Sequence, residues 1–211
     1  GDCDTRDLTR LLTFALMNEE ALDRYVYGSR LRAMVVRALY WFDRNTRKGS
    51  RRNIHAHYDL GNSFYAQWLD PDMVYSSARF AHPGQDLAAA QQHKLATIAQ
   101  RLDGAGSVLE IGCGWGALAQ HLHQAGMQVT AISLSDAQLD WARQHRTPQI
   151  AFRKQDYRDV VGQFDGVASV EMVEAVGREY WGDFFACLAR CLKPGGRAAI
   201  QYIAIREDLF P

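Results

Sequence analysis

Val108-Leu109-Glu110-Ile111-Gly112-Cys113-Gly114-Trp115-Gly116 is the stretch on which the fold turns. An apolar run of strand character meets three glycines at alternate positions, and a helical pattern begins at Ala117. Glycine at such a junction allows a tight backbone turn and lets a ligand come close to the peptide groups. The spacing is G-x-G-x-G rather than the G-x-G-x-x-G of dinucleotide folds, so no pyrophosphate cradle is required. Taken alone, the segment is equally consistent with a structural turn in any α/β domain.

On either side of the loop, short apolar runs alternate with helical patterns. Strands are predicted at Ser107–Ile111, Gln128–Ser133, Gln149–Lys154, Phe164–Val170 and Gly196–Ile205, with helices at Ala117–Ala125, Asp136–His145 and Glu179–Leu192. Strand–helix alternation predicts a doubly wound, mostly parallel α/β sheet. Lys193-Pro194-Gly195-Gly196 reads as a helix-to-strand turn. Before the loop, 86–103 reads as a helix with Leu87, Ala90, Lys94, Leu95 and Ile98 in phase, 61–69 as another, and 73–77 as a short extended piece. Residues 5–46 read as two amphipathic helices, followed by the basic run Arg44, Arg47, Lys48, Arg51, Arg52. The expected organisation is an N-terminal helical lobe with its basic segment (1–52), a segment covering the ligand (53–104), and an α/β core (105–211).

The 211 residues suffice for one α/β domain with a real core. Charge balances at 24 Lys+Arg against 24 Asp+Glu, which argues against a general nucleic-acid binder. None of the four cysteines forms a C-x-x-C pair or sits at zinc-ligand spacing, so no metal site is expected. A reduced, cytoplasmic compartment is expected. No apolar stretch is long enough to span a membrane and no secretory leader is legible, so any lipid contact would be peripheral.

Polar residues cluster where a nucleoside would lie across the strand ends. Glu110 ends the first strand, Ser133 the second, and the Asp156-Tyr157 pair after the third suits the edge and face of an adenine. This order resembles the class I S-adenosylmethionine methyltransferases, which have a Rossmann-like sheet. Most of these place Asp or Glu where Ser133 stands.

A narrower resemblance rests on His57-Tyr58-Asp59-Leu60-Gly61-Asn62, Trp68-Leu69-Asp70 and Met73-Val74-Tyr75-Ser76-Ser77-Ala78, all ahead of the glycine loop. Together these resemble the cyclopropane fatty acid synthase and mycolic acid methyltransferase family over roughly 53–205. The resemblance implies that Tyr75 and Ser76 close on the methionine end of the cofactor, and that Gly112, Cys113 and Gly114 offer it backbone. It places Ser133, Leu134 and Gln138 around the ribose, and Asp156, Tyr157 and Arg158 around the adenine. His57 is read as a loop-holding residue.

The reaction so implied is methyl transfer to a double bond of an unsaturated acyl chain, in phospholipid, with S-adenosylhomocysteine as by-product. An isolated alkene is a poor nucleophile, so alignment must supply much of the catalysis. Transfer leaves a carbocation that needs a dry, electron-rich pocket and then a base. In the cyclopropane synthases the resemblance implies bicarbonate as that base, held by a Cys, a Glu, a His and a Tyr. Here Glu174 matches the Glu, Ser77 replaces the Cys, Ala175 stands where a His commonly follows the Glu, and Gln201 stands at the His position of the fifth strand. Gln201 donates an amide N–H but cannot carry positive charge. Glu171 adds a second carboxylate three residues before Glu174, and on a helical turn both would face one site. Glu171 then replaces the missing base or merely holds a loop. These departures point to a methyl-branched unsaturated product rather than a cyclopropane.

Two further readings stay open: N- or O-methylation of a small molecule, and a non-catalytic cofactor-binding subunit. An anionic membrane surface is the expected partner for the basic run, at the inner face of the membrane, and a homodimer is compatible with the sequence. A class I sheet is completed by two further strands, expected beyond Pro211 together with a segment walling the acyl pocket.

Overall fold

A computed structural model describes residues 5–18, 22, 34, 46 and 61–206. The second predicted helix, the basic run and His57–Leu60 lie outside the described residues, Met34 and Thr46 apart. The chain falls into two compact units, Gly1–Arg44 and Asn45–Pro211. In the first, helix α1 (Leu8–Met17) is capped by Asp7, whose Oδ1 accepts from the Arg10 N–H at 2.9 Å.

The second unit carries α2 (Asn62–Tyr65), α3 (Leu87–Arg101), β1 (Ser107–Ile111), α4 (Ala117–Gln124), β2 (Gln128–Ser133), α5 (Asp136–His145), β3 (Ala151–Lys154), β4 (Phe164–Val170), α6 (Val173–Val176), α7 (Trp181–Cys191) and β5 (Leu192–Gln201). The sheet has the order β3-β2-β1-β4-β5, and every pair is parallel. Strand order reverses between β1 and β4, which opens a crevice at their carboxyl ends.

Alternate strand residues feed two cores, as the period of two requires. Val108, Val129, Ala131 and Ala168 pack with Leu95, Ile98 and Leu102 of α3 and its end, Leu118 and Leu122 of α4, and Leu139 of α5. Leu109, Ile111, Ile132 and Val167 pack on the opposite face with Phe184, Cys187, Leu188 and Cys191 of α7. Cys187 and Cys191 are therefore buried free thiols on one helical face. Asp86 caps α3 through the Ala89 N–H at 2.9 Å, and Ser135 caps α5 through the Gln138 N–H at 3.3 Å.

Several boundaries differ from the sequence reading. In the extended piece expected at 73–77, Met73 instead has a left-handed φ of +57°. β3 starts at Ala151 rather than Gln149, and a 3₁₀ turn, Arg178–Tyr180, precedes α7. Lys193–Gly196 is not a turn before β5 but an irregularity inside it, since Leu192 pairs with Phe164 and Arg197 with Gly166. Glycine permits the close backbone approach there, because a Cβ on Gly196 would stand 2.9 Å from the Asp165 carbonyl oxygen. Pairing ends at Gln201 rather than Ile205. Among the described residues no helix is long and apolar enough to cross a membrane.

Candidate active site

A cavity of about 790 Å³ lies at the carboxyl ends of β1, β2 and β4. Its lining includes each residue expected to meet the cofactor: Tyr75, Ser76, Glu110, Gly112, Cys113, Gly114, Ser133, Leu134, Gln138, Asp156 and Tyr157. Glu171 and Glu174 line it as well.

The three loop glycines all have left-handed φ, at +82°, +51° and +77°, but they do different work. A Cβ on Gly112 would lie 2.5 Å from Met172 Sδ, and one on Gly116 would lie 2.8 Å from the Phe152 ring. A Cβ on Gly114 would meet only Gln138 Nε2, at 4.0 Å. A side chain at Gly114 would thus enter the cavity, while one at Gly112 or Gly116 would run into packed protein. Backbone bonds hold the loop: the Gly112 and Cys113 N–H groups both donate to the Ile132 carbonyl at 3.0 Å.

Glu110 is only 4 % exposed, and its Oε2 has no hydrogen-bond partner among the described residues. Burial pushes its carboxyl up to about 8, against the opposing pull of the Ala119 N–H and of Arg146. The unpartnered oxygen is buried on a residue of the cavity lining, so a cationic group of a ligand that reached it would supply the missing partner. Ser133 and Gln138 are buried and joined, the hydroxyl donating to Gln138 Oε1 at 3.3 Å. Asp156 accepts from Arg158 Nε at 2.8 Å and from its terminal nitrogen at 2.6 Å. Tyr157 lies edge-on to Phe184 at 5.5 Å, so its ring belongs to the core as well as to the cavity wall.

The 74–76 segment is held from α3. Gln91 Nε2 donates to the Val74 and Ser76 carbonyls at 3.2 and 2.8 Å, and Lys94 Nζ donates to Ser76 Oγ at 2.6 Å. Lys94 is 2 % exposed, and burial lowers its ammonium to about 8, opposed by the charges of Glu171 and Asp70. Neither Gln91 nor Lys94 was singled out in the sequence as a site residue. The available signal was a lysine at an apolar-phase position of α3. A second missed feature is aromatic: Tyr65 lies 5.4 Å from Tyr75 and 5.2 Å from Trp115, and Trp68 lies 5.7 Å from Tyr75. Asn62 orients Trp115 by accepting from its indole N–H at 2.8 Å.

Ser77, Glu171 and Gln201 meet although they come from distant parts of the chain. Glu171 Oε1 accepts from the Ser77 N–H at 2.9 Å, the Ser77 hydroxyl at 2.6 Å and Gln201 Nε2 at 3.1 Å. The expectation that Glu171 shares a helical turn with Glu174 is corrected here. Glu171 has φ +52°, and its N–H donates to the Gln201 carbonyl at 2.8 Å, which extends the β4–β5 ladder and excludes helix. Glu174 sits in α6, exposed, and its Oε1 accepts from the Ile203 N–H at 3.4 Å.

The family model described as mycolic acid cyclopropane synthetase matches residues 45–209. The tuberculostearic acid methyltransferase UfaA1 of Mycobacterium tuberculosis is 40 % identical over 97 % of this chain and 51 % of its own length. The cyclopropane-fatty-acyl-phospholipid synthase of Escherichia coli strain K12 is 39 % identical over 72 % of this chain and 40 % of its own length. A crystal structure of the mycolic acid cyclopropane synthase CmaA1, complexed with SAH and CTAB, superposes with a TM-score of 0.63 at 26 % identity, covering 68 % of this chain and 53 % of that one. The chain thus spans about half or less of the length of these curated relatives. Its fold is that of the class I methyltransferases, and the chain belongs to the mycolic acid cyclopropane synthetase family.

Proposed function

We propose that this chain carries the cofactor site of an S-adenosylmethionine-dependent C-methyltransferase that methylates a double bond in an unsaturated fatty acyl chain, in phospholipid. The observation that carries the reading is the cavity at the β1/β4 reversal, with Gly114 open to it and an unpaired Glu110 oxygen in its wall. Bound S-adenosylmethionine supplies an electrophilic methyl on a sulfonium. Glu110 Oε2 faces a cationic group of that ligand, Gly112–Gly114 give it backbone, and Ser133, Leu134 and Gln138 take the ribose. Asp156 and Tyr157 frame the adenine, and Tyr75 and Ser76 close over the methionine end. Tyr75 and Trp115, which line the cavity, supply rings that suit a transient cation, with Tyr65 and Trp68 packed behind them. Relatives named for fatty acyl methylation and the SAH-bound neighbour support this reading.

Replacement of the Cys and His positions by Ser77 and Gln201 favours a methyl-branched unsaturated product over a ring. The basic run Arg44–Arg52 docks the enzyme on an anionic bilayer, at the cytoplasmic face, each charge contributing on the order of 1 kcal/mol. The test is to incubate the full-length protein with labelled cofactor and vesicles of unsaturated phospholipid, anionic or neutral. Mass spectrometry should show a gain of CH₂ in the acyl chains, and NMR should show a branch. Turnover should be higher on anionic vesicles and fall with salt. Cyclopropane ring protons would overturn the branch assignment, and equal turnover on neutral vesicles would overturn the docking. Cofactor binding with no lipid methylation would favour a non-catalytic subunit.

Glu110 gives a separate expectation. In the ligand-free protein its carboxyl, raised to about 8 by burial, is mostly protonated at pH 7. A cationic group at Oε2 favours the carboxylate, so binding releases a proton. Affinity for S-adenosylhomocysteine should therefore rise with pH up to about 8 and level off above it. Calorimetry in buffers of different ionisation heat should detect the release at pH 7, and Glu110→Gln should abolish it. An unchanged release in that variant would remove Glu110 from the assignment.

A further inference from the structure

We propose that the Glu171 carboxylate is the proton acceptor of the reaction, built into the chain in place of a free anion. The inference rests on the methyl-transfer reading above. Three donors converge on one oxygen, Oε1: the Ser77 N–H, the Ser77 hydroxyl and the Gln201 amide, at 2.9, 2.6 and 3.1 Å. None of the three reaches Oε2. The same residue borders the cavity that Gly114 and Glu110 line. One oxygen is therefore tethered while the carboxylate as a whole adjoins the space where substrate must lie.

The backbone points the same way. Glu171 is at φ +52°, a region that residues with a Cβ avoid. A glycine would sit there without strain, yet the chain places a carboxylate. The Glu171 N–H bond to Gln201 fixes that backbone against β5, so the side chain's origin is as rigid as the sheet. Lys94 lies close enough for its ammonium to feel the Glu171 charge, and it is anchored through Ser76, next to Ser77. The ammonium and the three converging donors thus surround the carboxylate that would take the proton.

The resemblance to cyclopropane synthases implies a bicarbonate at this place, held in part by the positions that Ser77 and Gln201 occupy. Here both residues are already engaged with Glu171. A second anion beside that carboxylate would meet like charge.

The step balances as follows. The transferred methyl forms a C–C bond to one alkene carbon as its C–S bond breaks, leaving a neutral thioether and a cation on the neighbouring chain carbon. A proton then leaves a carbon adjacent to the cation, and its C–H electron pair becomes a new C=C bond. Glu171 takes the proton, becomes a neutral carboxylic acid, and returns the proton to solvent.

The test uses the full-length enzyme on vesicles of unsaturated phospholipid in CO₂-free buffer, with and without added bicarbonate. Wild-type turnover should change less than about 2-fold on adding bicarbonate. Glu171→Gln should lose about 10²–10⁴-fold in turnover, the range for losing a general base, while calorimetric affinity for S-adenosylhomocysteine stays within about 2-fold. Glu171→Gly, which relieves the strained backbone and vacates the three donors, should regain at least about 10-fold in turnover on adding bicarbonate or formate. Wild-type turnover that requires bicarbonate would overturn this assignment alone, as would a Glu171→Gln variant with near-normal turnover or one that loses cofactor affinity in parallel. Failure of the wild type to methylate lipid in any buffer would overturn the methyl-transfer reading and this assignment with it.

Discussion

Gly114→Val is expected to weaken S-adenosylhomocysteine binding by at least about 100-fold, which is about 2.7 kcal/mol, while the protein stays folded. A side chain at this position would enter the cavity, where the nearest protein atom to its Cβ is Gln138 Nε2 at 4.0 Å. The left-handed φ of +51° adds strain of about 1–3 kcal/mol, which lowers the melting temperature somewhat. Gly114→Asn separates the two effects, because Asn tolerates that backbone yet still fills the space. Gly116→Ala should do the reverse. Its Cβ would be forced to 2.8 Å from the Phe152 ring and 3.3 Å from Ala142, at φ +77°. Strain and overpacking together should cost about 2–5 kcal/mol, or roughly 5–15 °C for a chain of this size. Calorimetric titration paired with thermal melts checks both. Normal binding by Gly114→Asn would remove the cofactor assignment, and a normal melt for Gly116→Ala would remove the packing role given to that glycine.

Arg146→Met is expected to destabilise the protein by about 2–4 kcal/mol, with cofactor affinity reduced roughly 10-fold. The Arg146 side chain is 9 % exposed and ties three segments together. Its Nε donates to the Trp115 carbonyl in the glycine loop at 3.2 Å, and its terminal nitrogens donate to the Asp72 carboxylate and carbonyl at 2.9 and 2.7 Å. The guanidinium also lies 5.0 Å from the Trp141 ring centroid. Asp72 is 38 % exposed, so the ion pair by itself contributes at most about 1 kcal/mol. The larger loss comes from two backbone carbonyls left without their donor, and from the glycine loop released from the segment that leads into Tyr75 and Ser76. Arg146→Lys should rescue little, because an ammonium lacks the planar fork that reaches all three acceptors. Denaturant unfolding checks this. A loss below about 1 kcal/mol, or full rescue by lysine, would contradict the tie.

Much of the cofactor cavity was legible in the sequence because its parts are local. β1 and β2 run from the residues their hydrophobic pattern indicated and carry Glu110 and Ser133 at their carboxyl ends, and Asp156 follows the end of β3. A parallel sheet brings those ends together, so Glu110, Ser133 and Asp156 share a cavity wherever the alternation of strand and helix holds. Lys94 was half legible. Its place in the apolar phase of α3 was plain, but burial beside Ser76 depends on how α3 packs, which no local pattern encodes.

The strand–helix alternation, the glycine loop and the residue types at the strand ends are encoded locally. Each of these follows from periodicity or from backbone freedom over a few neighbouring residues. The contacts of Glu171, by contrast, come from long-range packing. Its proximity to Glu174 in sequence suggested a shared helical turn, but the end of β4 puts it at positive φ and against β5 instead. Its partners lie 94 residues back, at Ser77, and 30 residues ahead, at Gln201. Contacts across such separations are set by sheet register and by the irregular start of β5, where the pairing slips between Leu192 and Arg197. That slip fixes which fifth-strand residue stands beside Glu171, because a shift of one position would turn Gln201 to the other face of the sheet.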